Sequence, residues 1–246
     1  MTAVRASRAA ESESEPSGPV EDYLKAIYEI ELGTGAAATN DIAQRLAIAP
    51  ASVSGMVRRL AEQGLVEYER YRGVRLTSSG RRVALRTLRR HRVIEAYLVH
   101  ALGYEWDAVH DEAERLEHAA SEELIDRMAA AVGEPATDPH GAPIPTREGA
   151  VDETRYRSLA ELAVGEDARV VRVSDEDAEM LRYLAALGLR PGAAVRVLSR
   201  APYDGPIALS VAGTECAVGP ALAGQVLIEG IAARAAARAQ KARRPR

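Results

Sequence analysis

Apolar residues first recur at helical spacing from Val20 onward, where Tyr23, Leu24, Ile27 and Ile30 share one stripe behind a Gly18-Pro19 start. Ahead of that helix, residues 1–17 are Ala, Ser, Glu and Arg without periodicity, the texture of a disordered tail. Residues 39–63 predict two short helices. The first is Asn40–Leu46. The second opens at Pro50 after a tight turn, carries Val53, Val57 and Leu60 on its inner face and ends at Gly64. Leu65–Arg70 and Val74–Thr77 alternate like strands joined at Tyr71-Arg72-Gly73, a hairpin with arginine at its tip. Helix, turn, helix and hairpin in this order predict a winged helix-turn-helix.

A long helix follows over about 82–101, with Val83, Leu88, Ile94 and Leu98 apolar, and another over about 105–131, with Val109, Ala113, Leu116 and Leu124 apolar. Helices of this length can pack on each other and on a second subunit. Residues 133–155 hold four prolines and three glycines and read as a linker. Beyond 156, Ala168–Val173, Ala193–Arg200, Ile207–Ala212 and Gln225–Glu229 alternate like the strands of a small barrel, with a short helix at 175–187. The pattern predicts a mainly α chain with a small β domain. Its parts are a disordered tail (1–17), a winged helix-turn-helix (18–80), a helical domain (81–132), the linker (133–155), a small β-barrel domain (156–230) and a basic tail (231–246).

Charge sharpens this picture. The net charge of −4 hides a segregation: residues 41–92 hold 12 Arg against 4 acids, whereas residues 110–140 hold 9 acids against 2 Arg. A basic block suits phosphate and an acidic block suits a cation. With one cysteine, Cys216, there is neither an intrachain disulfide nor a thiolate cluster. No apolar run approaches the roughly 20 residues of a membrane span, and no signal-peptide core is visible, so a cytoplasmic protein is expected.

The helix opened by Pro50 presents Ala51, Ser52, Ser54 and Gly55 at its N-terminal end, small or polar residues that permit close approach to a major groove. Arg58 and Arg59 lie a turn further on, and Arg70, Arg72 and Arg75 line the hairpin, where phosphate contacts are expected. The competing reading is a helical hairpin with a solvated basic face. In the acidic block, His110, Glu114, Glu117 and His118 fall on one helical stripe, and His91 and Glu95 stand at i, i+4 on the preceding helix. Two adjacent helices each presenting His and Glu suit a divalent metal, although solvated ion pairs give the same spacing. His100 and His140 fall outside the stripe and are assigned no metal role, and Tyr23 and Tyr28 read as core.

Val20-Glu21-Asp22-Tyr23-Leu24, Pro50-Ala51-Ser52-Val53-Ser54, Tyr71-Arg72-Gly73, Val109–His118 and Gly141-Ala142-Pro143-Ile144-Pro145 resemble, in this order, segments of the diphtheria-toxin-repressor family of metal-dependent regulators. Leu181–Gly192 is similar to that family's SH3-like C-terminal module. The resemblance covers about 20–230. It implies a homodimer that binds double-stranded operator DNA when loaded with metal and controls metal-uptake genes. It maps a primary metal site onto Asp22, Glu114, Glu117 and His118. An ancillary site maps onto His91, Glu95 and His110 with a third-domain carboxylate, placed at Asp177 with Asp175, Glu176 and Glu179 close by. A family position that can hold an amide ligand falls on Met180. Asp22 also reads simply as a carboxylate complementing a helix N-terminus.

Iron-sensing members carry Met and Cys where this chain has Asp22 and Glu114. Oxygen donors there resemble the manganese-sensing branch and favour a hard ion. Lys25, by contrast, stands where some two-domain manganese sensors have a carboxylate. Mn²⁺ is therefore the expected metal, with Fe²⁺ the alternative and Zn²⁺ or Co²⁺ substituting in vitro. Two other classes remain open: a winged-helix regulator gated by an organic ligand, and a metalloenzyme with an appended DNA domain. Against the enzyme, the chain has no nucleophile elbow, no HExxH and no phosphate loop, so no small-molecule substrate is expected.

Overall fold

A computed structural model describes residues 16–69, 72–175 and 177–230. Most of the two predicted tails, together with Arg70, Tyr71 and Glu176, lies outside the described residues. The chain divides into two units, Met1–Leu88 and Arg89–Arg246. Among the described residues no helix is long and apolar enough to cross a membrane.

In the first unit, α1 (Gly18–Thr34) carries Pro19 in its first turn, where a missing N–H costs no hydrogen bond. It buries Tyr23, Leu24, Ile27 and Tyr28. Next come α2 (Thr39–Arg45) and α3 (Pro50–Glu62). α3 buries Val53, Val57 and Leu60 and leaves Ala51, Ser52, Ser54, Gly55, Arg58 and Arg59 exposed. The wing is β1 (Val66–Glu69) paired antiparallel with β2 (Gly73–Leu76), and Ala37 adds a third rung through reciprocal amide–carbonyl bonds with Val74 (2.9 and 2.8 Å). Glu31 of α1 accepts from the Leu76 amide at 2.8 Å, tying the first helix to the wing. The Thr77 hydroxyl accepts from the Gly80 amide at 3.1 Å and caps the start of α4 (Ser78–Leu102).

The second unit begins within α4. The single helix expected over 105–131 is two helices, α5 (His110–Leu116) and α6 (Glu122–Ala131). Ser121 is the reason: its hydroxyl accepts from the Leu124 amide and starts a new helix, with Glu122 and Glu123 complementing the new N-terminus. Val93, Ile94, Leu98, Val109, Ala113, Ile125 and Ala129 form the helical core. Leu116 and Leu124, expected to lie in the apolar stripe, are 39% and 44% exposed.

Residues 133–155 are irregular, as their prolines and glycines predict, but the first half is not a slack connection. Arg89 and Arg92 of α4 donate to the carbonyls of Pro145 (3.2 Å) and Pro143 (2.5 Å), and Asp138, His140 and Ala142 are buried. The loop lies against a six-stranded antiparallel barrel sheet ordered β3-β8-β4-β5-β6-β7. Its strands are β3 (Arg157–Ser158), β4 (Asp167–Val173), β5 (Ala194–Arg200), β6 (Ile207–Val211), β7 (Thr214–Val218) and β8 (Val226–Gly230), with α7 (Ala178–Ala186) and α8 (Pro220–Gly224) at their ends. β3 and β7 were not legible in the sequence. β7 is a mostly exposed edge strand, and the turn that pairs it uses Ala212 and Gly213, both at positive φ. Trp106, from the segment between α4 and α5, is buried in the barrel core with Leu159, Leu181, Val197 and Leu209.

The register of β4 on β8 shifts between Val170 and Arg172, a bulge at Val171. There the loop docks: Val173 donates its amide to the His140 carbonyl at 3.0 Å. Gly141 has φ +91, and a Cβ on it would stand 2.0 Å from the Val171 carbonyl oxygen. Gly141→Ala should lower stability by about 2–3 kcal/mol, a fall in Tm of roughly 5–10 °C by scanning calorimetry of metal-free protein. An unchanged Tm would show that the loop is not clamped by the bulge.

Candidate metal centre

The loop, α4 and the barrel bring four side chains together. Glu95 of α4, Asp138 and His140 of the loop, and Asp175 just after β4 each offer one donor atom, all within 4.8 Å of one another. Three of the four residues are buried, Glu95 and His140 at 0% exposure. Each of these three is fixed by one atom and left open at another. Glu95 Oε1 lies 3.2 Å from His91 Nε2 and 3.5 Å from His110 Nδ1, leaving Oε2. Asp138 Oδ1 accepts the amides of His140 (2.8 Å) and Ala142 (2.9 Å), leaving Oδ2. The Nε2–H of His140 donates to the Trp106 carbonyl at 2.8 Å, which leaves Nδ1 to hold either a proton or a cation. Glu95 Oε2, Asp138 Oδ2 and His140 Nδ1 are buried without hydrogen-bond partners.

Native interiors rarely leave such atoms unsatisfied. Their nearest charged neighbours stand at ion-pair distances: His140 Nδ1 is 3.8 Å from Glu95 Oε2 and 4.0 Å from Asp175, and Asp138 Oδ2 is 3.6 Å from Arg92 Nε. Donors opposite one another on a divalent ion lie about 4–4.4 Å apart at bond lengths of about 2.0–2.2 Å. The arrangement therefore fits a single cation after slight contraction. One imidazole and three carboxylates form a hard, oxygen-rich set.

The electrostatics agree. Burial, then the charges of Glu95 and Asp175, push the Asp138 carboxyl up to about 6 despite Arg92. Burial works against the charge of Glu95 too, but His91, His110 and His140 hold it well below the usual carboxylate range. Burial opposes the His140 charge as well, yet Glu95, Asp138 and Asp175 raise that imidazole to about 9.

The other expected ligands lie along α4 and α5. His91 and Glu117 are buried, His110 and Glu114 half-buried and His118 exposed. Glu117 and His118 fall beyond the end of α5, but the Glu117 amide still bonds the Ala113 carbonyl, so the helical spacing of the stripe survives one more turn. His91 Nδ1 is 2.6 Å from Glu117 Oε2 and 4.0 Å from Glu114, and its Nε2 is 3.2 Å from His110 Nδ1. His91, His110 and Glu114 form a second group with metal-compatible donors. Asp22 lies in α1, in the first unit.

Two readings of the sequence need correction here. Asp177 is exposed, and its Oδ1 accepts the amides of Glu179 and Met180 as the cap of α7, so the barrel carboxylate in the buried group is Asp175. His140, assigned no metal role, sits within that group, and Asp138 went unremarked. A signal existed in Asp138-Pro139-His140-Gly141, an acid and a histidine two apart in a proline-stiffened loop. Reading 133–155 as linker concealed it.

In the first unit, the predicted DNA-reading residues of α3 form one exposed face. Arg72 and Arg75 are exposed on the wing, with Arg72 paired to Glu69 at 3.0 Å, and Arg70 lies outside the described residues.

Raising His140 from its unfolded value near 6.5 to about 9 makes the charged ring a stabilising feature of the metal-free fold. That contribution, about 3 kcal/mol, is complete below pH 6.5 and disappears as pH climbs through 9. Urea unfolding of chelator-treated protein should show this loss between pH 6.5 and 9, and His140→Phe should flatten it. Since a cation must displace this proton, metal affinity should rise over the same interval.

Comparison with known proteins agrees with these features. Residues 17–74 match the profile described as "Iron dependent repressor, N-terminal DNA binding domain", residues 77–146 the "metal binding and dimerisation domain" of the same repressors, and residues 157–230 the "FeoA domain". The iron-dependent repressor IdeR of Mycobacterium tuberculosis is 34% identical over 189 residues, 72% of this chain and 82% of its own. The diphtheria toxin repressor of Corynebacterium diphtheriae is 30% identical over 220 residues, 85% and 96% of the two chains. A solved manganese-dependent transcriptional repressor in complex with manganese superposes with a TM-score of 0.79 at 39% identity, covering 86% of this chain and all of that one. A winged helix with an exposed recognition face, a helical unit rich in metal donors and an SH3-like barrel are thus joined in one sequence, and the chain belongs to the diphtheria-toxin-repressor family of metal-dependent transcriptional repressors.

Proposed function

We propose that this repressor responds to manganese, with the buried Glu95–Asp138–His140–Asp175 group as one of its metal sites. The observation that carries the reading is the convergence of three buried, unpartnered donor atoms in a set with three carboxylates and no sulfur. Such a set favours Mn²⁺ or Fe²⁺ over thiophilic ions, with discrimination from Zn²⁺ resting on coordination number and supply. The relatives include an iron-dependent and a manganese-dependent repressor, and the oxygen donors Asp22 and Glu114 favour the manganese reading.

A second site uses Glu114, Glu117 and His118, to which the family resemblance adds Asp22 as a further oxygen donor. A bound cation contributes positive charge that offsets the repulsion among these carboxylates. The protein works in the cytoplasm as a regulator rather than an enzyme. The exposed Leu116 and Leu124 suit burial in a homodimer. In that dimer the two α3 faces meet operator DNA about one helical turn apart, with Ala51, Ser52, Ser54 and Gly55 in the major groove and Arg58, Arg59, Arg70 and Arg72 on phosphates.

Fluorescence anisotropy on a duplex recovered by binding-site selection tests this. Saturating Mn²⁺ should tighten binding roughly 5–150-fold relative to chelator, the range of a coupling of about 1–3 kcal/mol. Mn²⁺ should act at lower free concentration than Asp138→Ala requires, and added salt should weaken the complex steeply. Equal DNA affinity with manganese and with chelator would refute the switch. Activation by Fe²⁺ under anaerobic conditions, with none by Mn²⁺, would reassign the metal.

A further inference from the structure

The wing is a hairpin of two four-residue strands, too short to hold a position of its own, so its attachments decide where its tip points. Val74 and Leu76, two residues apart on β2, turn their amides to the same side of the strand, away from β1. Val74 donates to the Ala37 carbonyl at 2.8 Å, and in an antiparallel ladder the next partner, for Leu76, is Gly35. Gly35 cannot serve. It closes α1 at φ +80, with its own amide bonded to the Glu31 carbonyl. The ladder therefore stops after one rung. The Leu76 amide donates instead to Glu31 Oε1 at 2.8 Å, a side chain standing in for the missing strand.

An acceptor oxygen, rather than a charge, is what this position supplies. Burial is the largest influence on the Glu31 carboxyl and raises it, outweighing the Leu76 amide and the guanidinium charges of Arg81 and Arg75. A neutral acceptor of the same length would hold the amide as well. The bond also sits at the base of a lever. Arg72 lies four residues before Leu76, about 14 Å of extended chain at roughly 3.4 Å per residue. A tilt of about 10° at Leu76 would then move the wing tip by about 2 Å, most of the length of a charge-assisted hydrogen bond to phosphate.

We propose that Glu31 is a positioning residue for DNA binding: by holding the base of β2 to the end of α1, it sets where the exposed wing arginines, Arg72 and Arg75, meet the phosphate backbone. This rests on the reading that those arginines contact phosphate.

The test is anisotropy of the full-length protein on the duplex recovered by binding-site selection, at saturating activating metal and over a range of salt. The dependence of the logarithm of affinity on the logarithm of salt concentration counts the phosphates neutralised. Glu31→Gln keeps the acceptor and its reach, whereas Glu31→Asp keeps the charge and withdraws the oxygen by one methylene. The Gln variant should match wild type in affinity and in salt slope. The Asp variant should bind roughly 10–100-fold more weakly, the scale of losing a charged hydrogen bond, and its slope should flatten by about 1–2. Replacing Arg72 and Arg75 together by alanine should flatten the slope likewise, and adding Glu31→Asp to that variant should cost no further affinity. Circular dichroism reports folding. Glu31→Met, equal in length but without an oxygen, should behave as the Asp variant and carries the comparison if that variant does not fold. Weaker binding at an unchanged slope, full additivity with the arginine replacements, or a Gln variant as weak as the Asp variant overturns the proposal. A wild-type slope in the arginine variant sinks the phosphate reading beneath it, whereas a flattened slope there with a wild-type Asp variant sinks this inference alone.

Discussion

Burying carboxylates without enough donors to satisfy them is among the costliest arrangements a fold can hold, and the second unit holds one at its centre. Glu95, Asp138 and Asp175 converge on His140, and the open atoms of Glu95, Asp138 and His140 face inward with nothing to bond. The rest of that unit is arranged around this cost. α4 carries Glu95 and, three residues earlier, the guanidinium of Arg92 that faces Asp138. Backbone amides fill the second oxygen of Asp138, a backbone carbonyl fixes the tautomer of His140, and two histidines flank the second oxygen of Glu95. Each of these three side chains is thus oriented by a partner behind it, the kind of support that metal ligands usually have.

The loop after α6 connects this chemistry to the fold. Proline and glycine exclude regular structure, and the same residues let a short segment make a sharp excursion that delivers an acid and a histidine two positions apart. Arg89 and Arg92 pin its later carbonyls to α4, and the bulge in β4 accepts its backbone at Gly141. The barrel contributes Asp175 and also encloses Trp106, whose carbonyl holds His140. The SH3-like domain therefore contributes a side chain to the buried donor group. Asp175 stands two residues past β4, where the end of the bulged strand meets the loop.

The DNA-reading unit follows a simpler logic. Its apolar stripe on α3 is narrow, so the opposite face is free to carry small residues and arginine, and the hairpin is tied to α1 through Glu31 and to residue 37 through the Val74 bonds. The basic block of residues 41–92 supplies charge for phosphate, and the acidic block of residues 110–140 lies in the other unit. Segregated charge of this kind permits one protein to attract both a polyanion and a cation.

Local pattern alone determined most of this. Helical periodicity located α1, α3 and α4, alternation located the wing and four barrel strands, and the i, i+4 spacing of His91 with Glu95 and of Glu114 with His118 marked the metal-rich helices. Such features depend on neighbours within a turn or a strand, which a sequence displays directly. Other features were decided only in three dimensions. The break before α6 turned on whether the Ser121 hydroxyl would cap a helix or lie on the face of one. β7 exists because β6 offers it an edge. Asp138, His140 and Asp175 became a site because a proline-bent loop and a bulged strand meet at Glu95, some 40 to 80 residues away along the chain, and no local spacing records a meeting of that kind. Asp175 rather than Asp177 joins the buried group because Asp177 is committed to two backbone amides as the cap of α7.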